Sequence, residues 1–162
     1  MQEEIKFVIK YEKKKIIQAL RYHFISRNEI RILIVLINVF AIFSAILFGM
    51  HKISPYAFLL SSFLWVLLMA SFWIILPLLV YSKSSMLKQE FLIIIKENYL
   101  HLENEKGFTH WNWTEFIYFI DSPNFFHLYF TSKSFFLMPK YNLHSDDTFE
   151  VRKILLEKIG RK

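Results

Sequence analysis

His101, His110 and His127 fall on three separate β-like segments, and three imidazoles converging from neighbouring strands could hold a transition metal. Ligating histidines also need a group that fixes each ring, usually a carboxylate. The carboxylates around these three have no spacing that supplies one, and each His sits in an alternating pattern where a solvent-facing or satisfied imidazole is ordinary. No metal site is expected. Glu103, Glu105, Glu115 and Asp121 likewise form no recognisable general acid and base pair. The sequence has no glycine-rich phosphate loop, nucleophile elbow or zinc-binding His pair. It also has no cysteine, which excludes thiol chemistry, disulfides and Cys-held metal clusters. The expectation is a non-enzymatic chain without a cofactor.

What remains is binding chemistry. Trp111 and Trp113, two residues apart, would share one face of a strand. They either fill a core or dip into a membrane interface or a partner groove. Lys13, Lys14, Lys15, Lys83 and Lys88 are the candidates for lipid-headgroup contact, with Arg152 and Lys153 as a further basic pair. Their alternative role is to enforce topology and solubility. The net charge of +6 would also suit nucleic acid. The cations, however, cluster beside long apolar segments, where an anionic leaflet attracts each by about 1 kcal/mol. A bilayer is therefore the expected partner, and nucleic acid is not.

The elements that position these residues start from two uninterrupted apolar stretches, Ile32–Met50 and Tyr56–Tyr81, separated by His51-Lys52-Ile53-Ser54-Pro55. Neither contains a charge, and each passes the length of about 18 residues at which a transmembrane helix is the default reading. The first reaches about 28 Å, close to the thickness of a bilayer core. The second is longer than needed and can tilt, or bend at Pro77. Tyr56 and Tyr81 bracket it as interfacial anchors would, with Trp65 and Trp73 inside. No cleavable signal peptide is expected, since a charged leader precedes the first span and no small-residue cleavage site follows it.

Residues 1–31 hold eight Lys and Arg, including Arg21, Arg27 and Arg31, whereas the connecting loop offers only Lys52. The positive-inside rule then puts both termini in the cytoplasm. Within the spans the polar residues are Asn38, Ser44, Ser61, Ser62 and Ser71, with no ionisable group of the kind a transporter or proton relay needs. These side chains are expected to bond backbone or a neighbouring helix, and Asn38 is singled out as a contact between helices or protomers.

Residues 82–162 change to short apolar runs separated by turn residues. Glu90–Lys96, Tyr99–Glu103, Phe108–Trp113, Phe116–Asp121, Phe125–Phe130 and Ser134–Met138 are expected strands. A helix should follow, capped by Asp147 with Glu150 three residues on, striped by Val151, Ile154, Leu155 and Ile159, and ended by Gly160. In the leader, Ile5, Phe7 and Ile9 alternate with Lys6, Val8 and Lys10 as a half-buried strand does. An isolated strand is not stable, so it must pair with the downstream module. From Glu12 to about Arg27, Ile16, Ile17, Leu20 and Phe24 share a helical face expected to lie on the membrane surface or run into the first span. The fold class expected is membrane α+β. It comprises a cytoplasmic strand and amphipathic helix (1–31), a transmembrane hairpin (32–81) and a small antiparallel β module with a C-terminal helix (82–162).

Seven antiparallel strands closed by a C-terminal amphipathic helix are the layout of a pleckstrin-homology-like domain, and the chain resembles the YcxB-like membrane proteins of bacteria. The likeness lies in the leading strand I-K-F-V-I-K-Y, Tyr22-His23, the paired spans, the Trp111/Trp113 strand, the Ser122-Pro123-Asn124-Phe125 turn and Met138-Pro139-Lys140. The resemblance implies fold and a bacterial inner-membrane location, and supplies no functional residues. Three readings follow. The first is a membrane-anchored interaction module for a protein partner or a second protomer. The second is a protective, immunity-type membrane protein acting against a membrane-active peptide or toxin. The third is a small channel subunit, for which Asn38 and the serines are thin material.

Overall fold

The computed structural model describes residues 4–159. The architecture is α+β, with two long apolar helices, two antiparallel sheets and a C-terminal helix. The chain divides into two compact units, Met1–Ala19 with Ser85–Lys162, and Leu20–Ser84.

In the first unit, β1 (Ile5–Ile9), β2 (Phe91–Ile95), β3 (Tyr99–Asn104) and β4 (Gly107–Asn112) form one sheet in that order. β5 (Tyr118–Asp121), β6 (Phe125–Tyr129) and β7 (Phe135–Pro139) form the other. The leading strand finds its partner 90 positions downstream: Ile5 lies opposite Ile95, Phe7 opposite Ile93 and Ile9 opposite Phe91. Period-two alternation then sends all six of these side chains to the same side, into one core with Leu100 and Leu102. The second sheet contributes Phe119, Phe126, Leu128, Phe136 and Met138 to that core. A C-terminal helix, α5 (Ser145–Lys158), adds Val151 and Leu155.

Four local expectations need correction. The strand expected to run through Trp113 stops at Asn112, and Trp113–Glu115 forms a 3-10 turn. A capping box does this: Asn112 N–H donates to Glu115 Oε1 at 2.8 Å while the Asn112 side chain accepts from the Glu115 backbone. Along β6, Phe126 and Leu128 alternate with His127 and Tyr129, a pattern that predicts one covered face and one open face, yet all five residues of the strand are buried. The last helix begins earlier than its expected cap, at Ser145 after His144, so Asp146 and Asp147 lie in its first turn, where carboxylates complement the dipole. Gly160, its expected terminator, lies outside the described residues. Of the two alternatives for the leader helix, α1 (Lys13–Ser26), lying on a membrane surface does not suit Ile16 and Leu20, which are 0% and 1% exposed. Running into the first span fits, with only Arg27 between it and Asn28, where the first long apolar helix begins. The start of α1 is held within the first unit, with the Tyr11 hydroxyl donating to Leu137 O at 2.8 Å and Lys15 Nζ 3.8 Å from the Tyr141 ring.

In the second unit, α2 (Asn28–Gly49) and α3 (Pro55–Ala70) pack antiparallel. Ser54 caps α3 by accepting from Ala57 N–H at 3.2 Å, and Pro55 occupies the first helical turn, where its missing N–H is harmless. Three contacts set the helix–helix register: Phe48 stacked on Phe58 at 4.4 Å, Ser44 Oγ to Ser61 Oγ at 2.6 Å, and Trp65 Nε1 donating to Asn38 Oδ1 at 3.4 Å. Asn38 also donates to Ile34 O in its own helix at 2.8 Å. Beyond α3, Ser71–Ile75 winds as one π-helical turn before α4 (Leu76–Lys83). The irregularity precedes Pro77, because a proline has no N–H for the carbonyl four residues back, that of Trp73.

Candidate functional site

The three histidines do not converge. His101 and His110 face each other across β3 and β4, whereas His127 belongs to the other sheet. Even the facing pair diverges: His101 stacks on Phe108 at 5.7 Å and His110 meets Tyr99 edge-on at 5.7 Å, diagonals that run in opposite directions along the ladder. Among the described residues no three His, Cys, Asp or Glu side chains gather as a metal would require.

His127 is fully buried, with Nε2 2.9 Å from Ser122 Oγ, and that hydroxyl donates to Phe125 O at 2.9 Å. A Ser–His contact suggests a nucleophile. Here the hydroxyl proton is committed to a carbonyl, so the imidazole serves as donor to Oγ, and Ser122 is 4% exposed. The pair closes the β5–β6 turn. A small cleft of about 220 Å³ lies among Gln89, Glu90, Asn104, Glu105 and Lys106. That is under the roughly 300–1,000 Å³ of ordinary ligand sites.

Trp113 is 4% exposed, its indole donating to Lys96 O at 3.1 Å, so it fills the core and is not an interface aromatic. Trp111 packs beside it against Phe130 at 5.0 Å and Phe136 at 5.2 Å. Lys13, Lys14, Lys83 and Lys88 are exposed, while Lys15 is drawn to Glu12 Oε1 at 2.7 Å and to Tyr141. Arg152 is engaged by Asp121, and Lys153 is exposed. Asn38 is a contact between helices of one chain.

Two arrangements escaped the sequence. Asp121 is gripped by both Lys140 and Arg152. Arg21, from α1, donates its Nε–H to Trp73 O at 2.8 Å with its guanidinium 5.3 Å from the Trp73 ring. Pro77 cannot donate to that carbonyl, and Arg21 supplies a donor there. Two residues on, burial and then the Arg27 charge hold the His23 imidazole down to about 4, so it is neutral at ordinary pH. Replacing Arg21 by Ala should cost about 1 kcal/mol, the scale of one half-exposed charged hydrogen bond. In a Pro77→Ala background the restored N–H can serve Trp73, so the same change should cost less. Thermal unfolding of the four variants in detergent checks this, and equal costs in both backgrounds would disprove the coupling.

Comparison of the chain with protein-family models, with curated proteins and with solved structures gives no match. The arrangement therefore has to be read from its own geometry, and what it offers is surface. The outer face of the β1–β4 sheet presents Val8 at 55% and Phe108 at 71% exposure, with His101 and His110 between, and β4 leaves one edge unpaired among the described residues.

Proposed function

We propose that this chain is an integral membrane protein of YcxB-like type in a bacterial inner membrane. α2 and α3–α4 form its transmembrane hairpin, both termini are cytoplasmic, and a pleckstrin-homology-like β module serves as a non-catalytic interaction domain. One observation carries the membrane reading. The two helices, Asn28–Gly49 and Pro55–Lys83, have mean hydropathies of 2.8 and 2.5, yet only 11% and 6% of their apolar windows are buried within the protein. A core helix of a soluble protein reaches such hydropathy by being mostly buried. Here Leu59, Leu60 and Phe63 are 63–70% exposed, and so much contiguous apolar surface in water is far from a monomer's usual patch of about 300–600 Å². Lipid is the solvent that suits it, and the helical backbone satisfies its own polar groups there.

The four- and three-stranded sheets closed by α5 support the pleckstrin-homology-like reading, and the eight Lys and Arg of residues 1–31 support cytoplasmic termini. Exposed Lys83 and Lys88 follow the second span directly and suit anionic headgroups. The Cys-free sequence makes the test clean. The chain should resist alkaline extraction from membranes. A cysteine at Lys52 should react with an impermeant maleimide on intact cells, and one at Lys133 only after permeabilisation. Release by alkali would end the membrane reading, and labelling of Lys133→Cys from outside would invert the topology.

A further inference from the structure

The second unit carries a guanidinium that is fixed in place yet short of partners. Arg21 commits its Nε–H to Trp73 O and lies 5.3 Å from the Trp73 ring, and its two terminal amino groups have no hydrogen-bond partner among the described residues. Those groups form a flat fork of N–H donors, which suits two oxygens of a phosphate or a carboxylate. The unit itself offers no such anion. Between Leu20 and Ser84 the only carboxylate is Glu29, and Arg27 holds it at 3.7 Å. A counter-ion for Arg21 therefore comes from outside the unit.

Depth selects it. The Ser44–Ser61 and Asn38–Trp65 contacts step along an antiparallel helix pair. About eight residues beyond Trp65 stands Trp73, and as many before Asn38 stands Ile30, so Trp73 comes level with Arg31 and Ile32, where the charge-free run of α2 begins. From the opposite end, Pro55 to Trp73 is about 28 Å of helix, the thickness of a bilayer core. Trp73, 49% exposed, then sits where interfacial aromatics do, beside the headgroup layer. We infer that Arg21 binds the phosphate of an anionic phospholipid in the cytoplasmic leaflet, its guanidinium held at that level by the Trp73 carbonyl and ring. Such binding rests on the membrane insertion proposed above. A zwitterionic headgroup brings its own cation beside the phosphate and competes with Arg21, so lipids of uncompensated negative charge are favoured. Arg31, exposed and level with Trp73, adds to the local positive potential.

The thermal unfolding midpoint of the purified full chain in detergent micelles tests this, since a ligand of the folded state raises it. Phosphatidylglycerol should raise the midpoint by several degrees, and Arg21→Gln should remove most of that increment. Lys52→Gln, which deletes the same charge in the loop between α2 and α3, should keep it. Comparing increments sets aside any basal loss of stability from the Trp73 contact. Should Arg21→Gln not fold, Arg21→Lys takes its place: it keeps the charge and a donor for the carbonyl but lacks the fork, and should lose at least half of the increment. A full increment in the Arg21 variant, or an equal loss in Lys52→Gln, overturns the inference. So does the same increment from phosphatidylcholine or from inorganic phosphate, or none from phosphatidylglycerol. Alkaline extraction of native membranes holding the same chains reports separately on insertion, so failure of one reading is not mistaken for failure of the other.

Discussion

A chain lacking residues 1–11 should fail to fold its β module, even though the other six strands and α5 are intact. Ile5, Phe7 and Ile9 are 8%, 9% and 0% exposed. At about 1.5–3 kcal/mol for each buried apolar side chain, their loss removes roughly 5–9 kcal/mol. Natural domains hold only about 5–15 kcal/mol in total. The deletion also strips β2 of a partner along its whole length and removes the Tyr11 hydroxyl from Leu137 O. Phe7→Ala is the gentler version, expected to cost about 3–5 kcal/mol. Limited proteolysis and thermal unfolding of the full chain and both variants measure the effect. A truncated chain as protease-resistant as the intact one would show that the module does not need its distant strand.

That dependence was legible in seven residues. An alternating strand alone ahead of a long apolar segment has to pair with something, and the pattern I-K-F-V-I names the buried face. The two long apolar helices were legible for a simpler reason, since a long charge-free run without turn residues favours one continuous helix. What periodicity could not carry was tertiary. That β1–β4 and β5–β7 form separate sheets is hard to read locally, because the break between them is only residues 113–117, opened by the Asn112–Glu115 capping box, and looks like any other short turn. β6 alternates as if half-buried, but both its faces are covered, and the covering element is not written in its own sequence. Pro77 announces a missing N–H opposite the Trp73 carbonyl but not the side-chain donor that reaches it, which stands 52 positions away at Arg21. The same distance problem hid the partners of Asp121, since Arg152 read from sequence as half of a basic pair with Lys153 and Lys140 only as the end of Met138-Pro139-Lys140.

Asp121 is the point where β5, the residue after β7 and α5 are fastened together, and replacing it should destabilise the module by about 3 kcal/mol. Lys140 Nζ donates to Oδ1 and to Ser122 O, Arg152 Nε donates to Oδ2 at 2.8 Å, and both cations lie over the Phe126 ring at 4.5 and 5.8 Å. The Asp121 and Lys140 side chains are each 12% exposed, so Asp121→Asn leaves a buried ammonium without its counter-charge, facing only a neutral amide oxygen, one carbonyl and one ring face. Arg152, at 38%, can return to water, and Arg152→Ala should cost only about 1 kcal/mol. The pH dependence separates this from mere packing. Burial opposes ionisation of Asp121, but hydrogen bonds and charge from Lys140 and Arg152 outweigh it and hold the carboxyl below its usual value. A depressed carboxylate contributes stability that is complete above the unfolded value, about 3.9, and is lost as pH falls through the folded one. The gap between native protein and Asp121→Asn should therefore be full at neutral pH and narrow steadily below about pH 4. Denaturant unfolding at a series of pH values reads it directly. A gap that stays constant into acid would mean that Asp121 acts through its shape and not its charge.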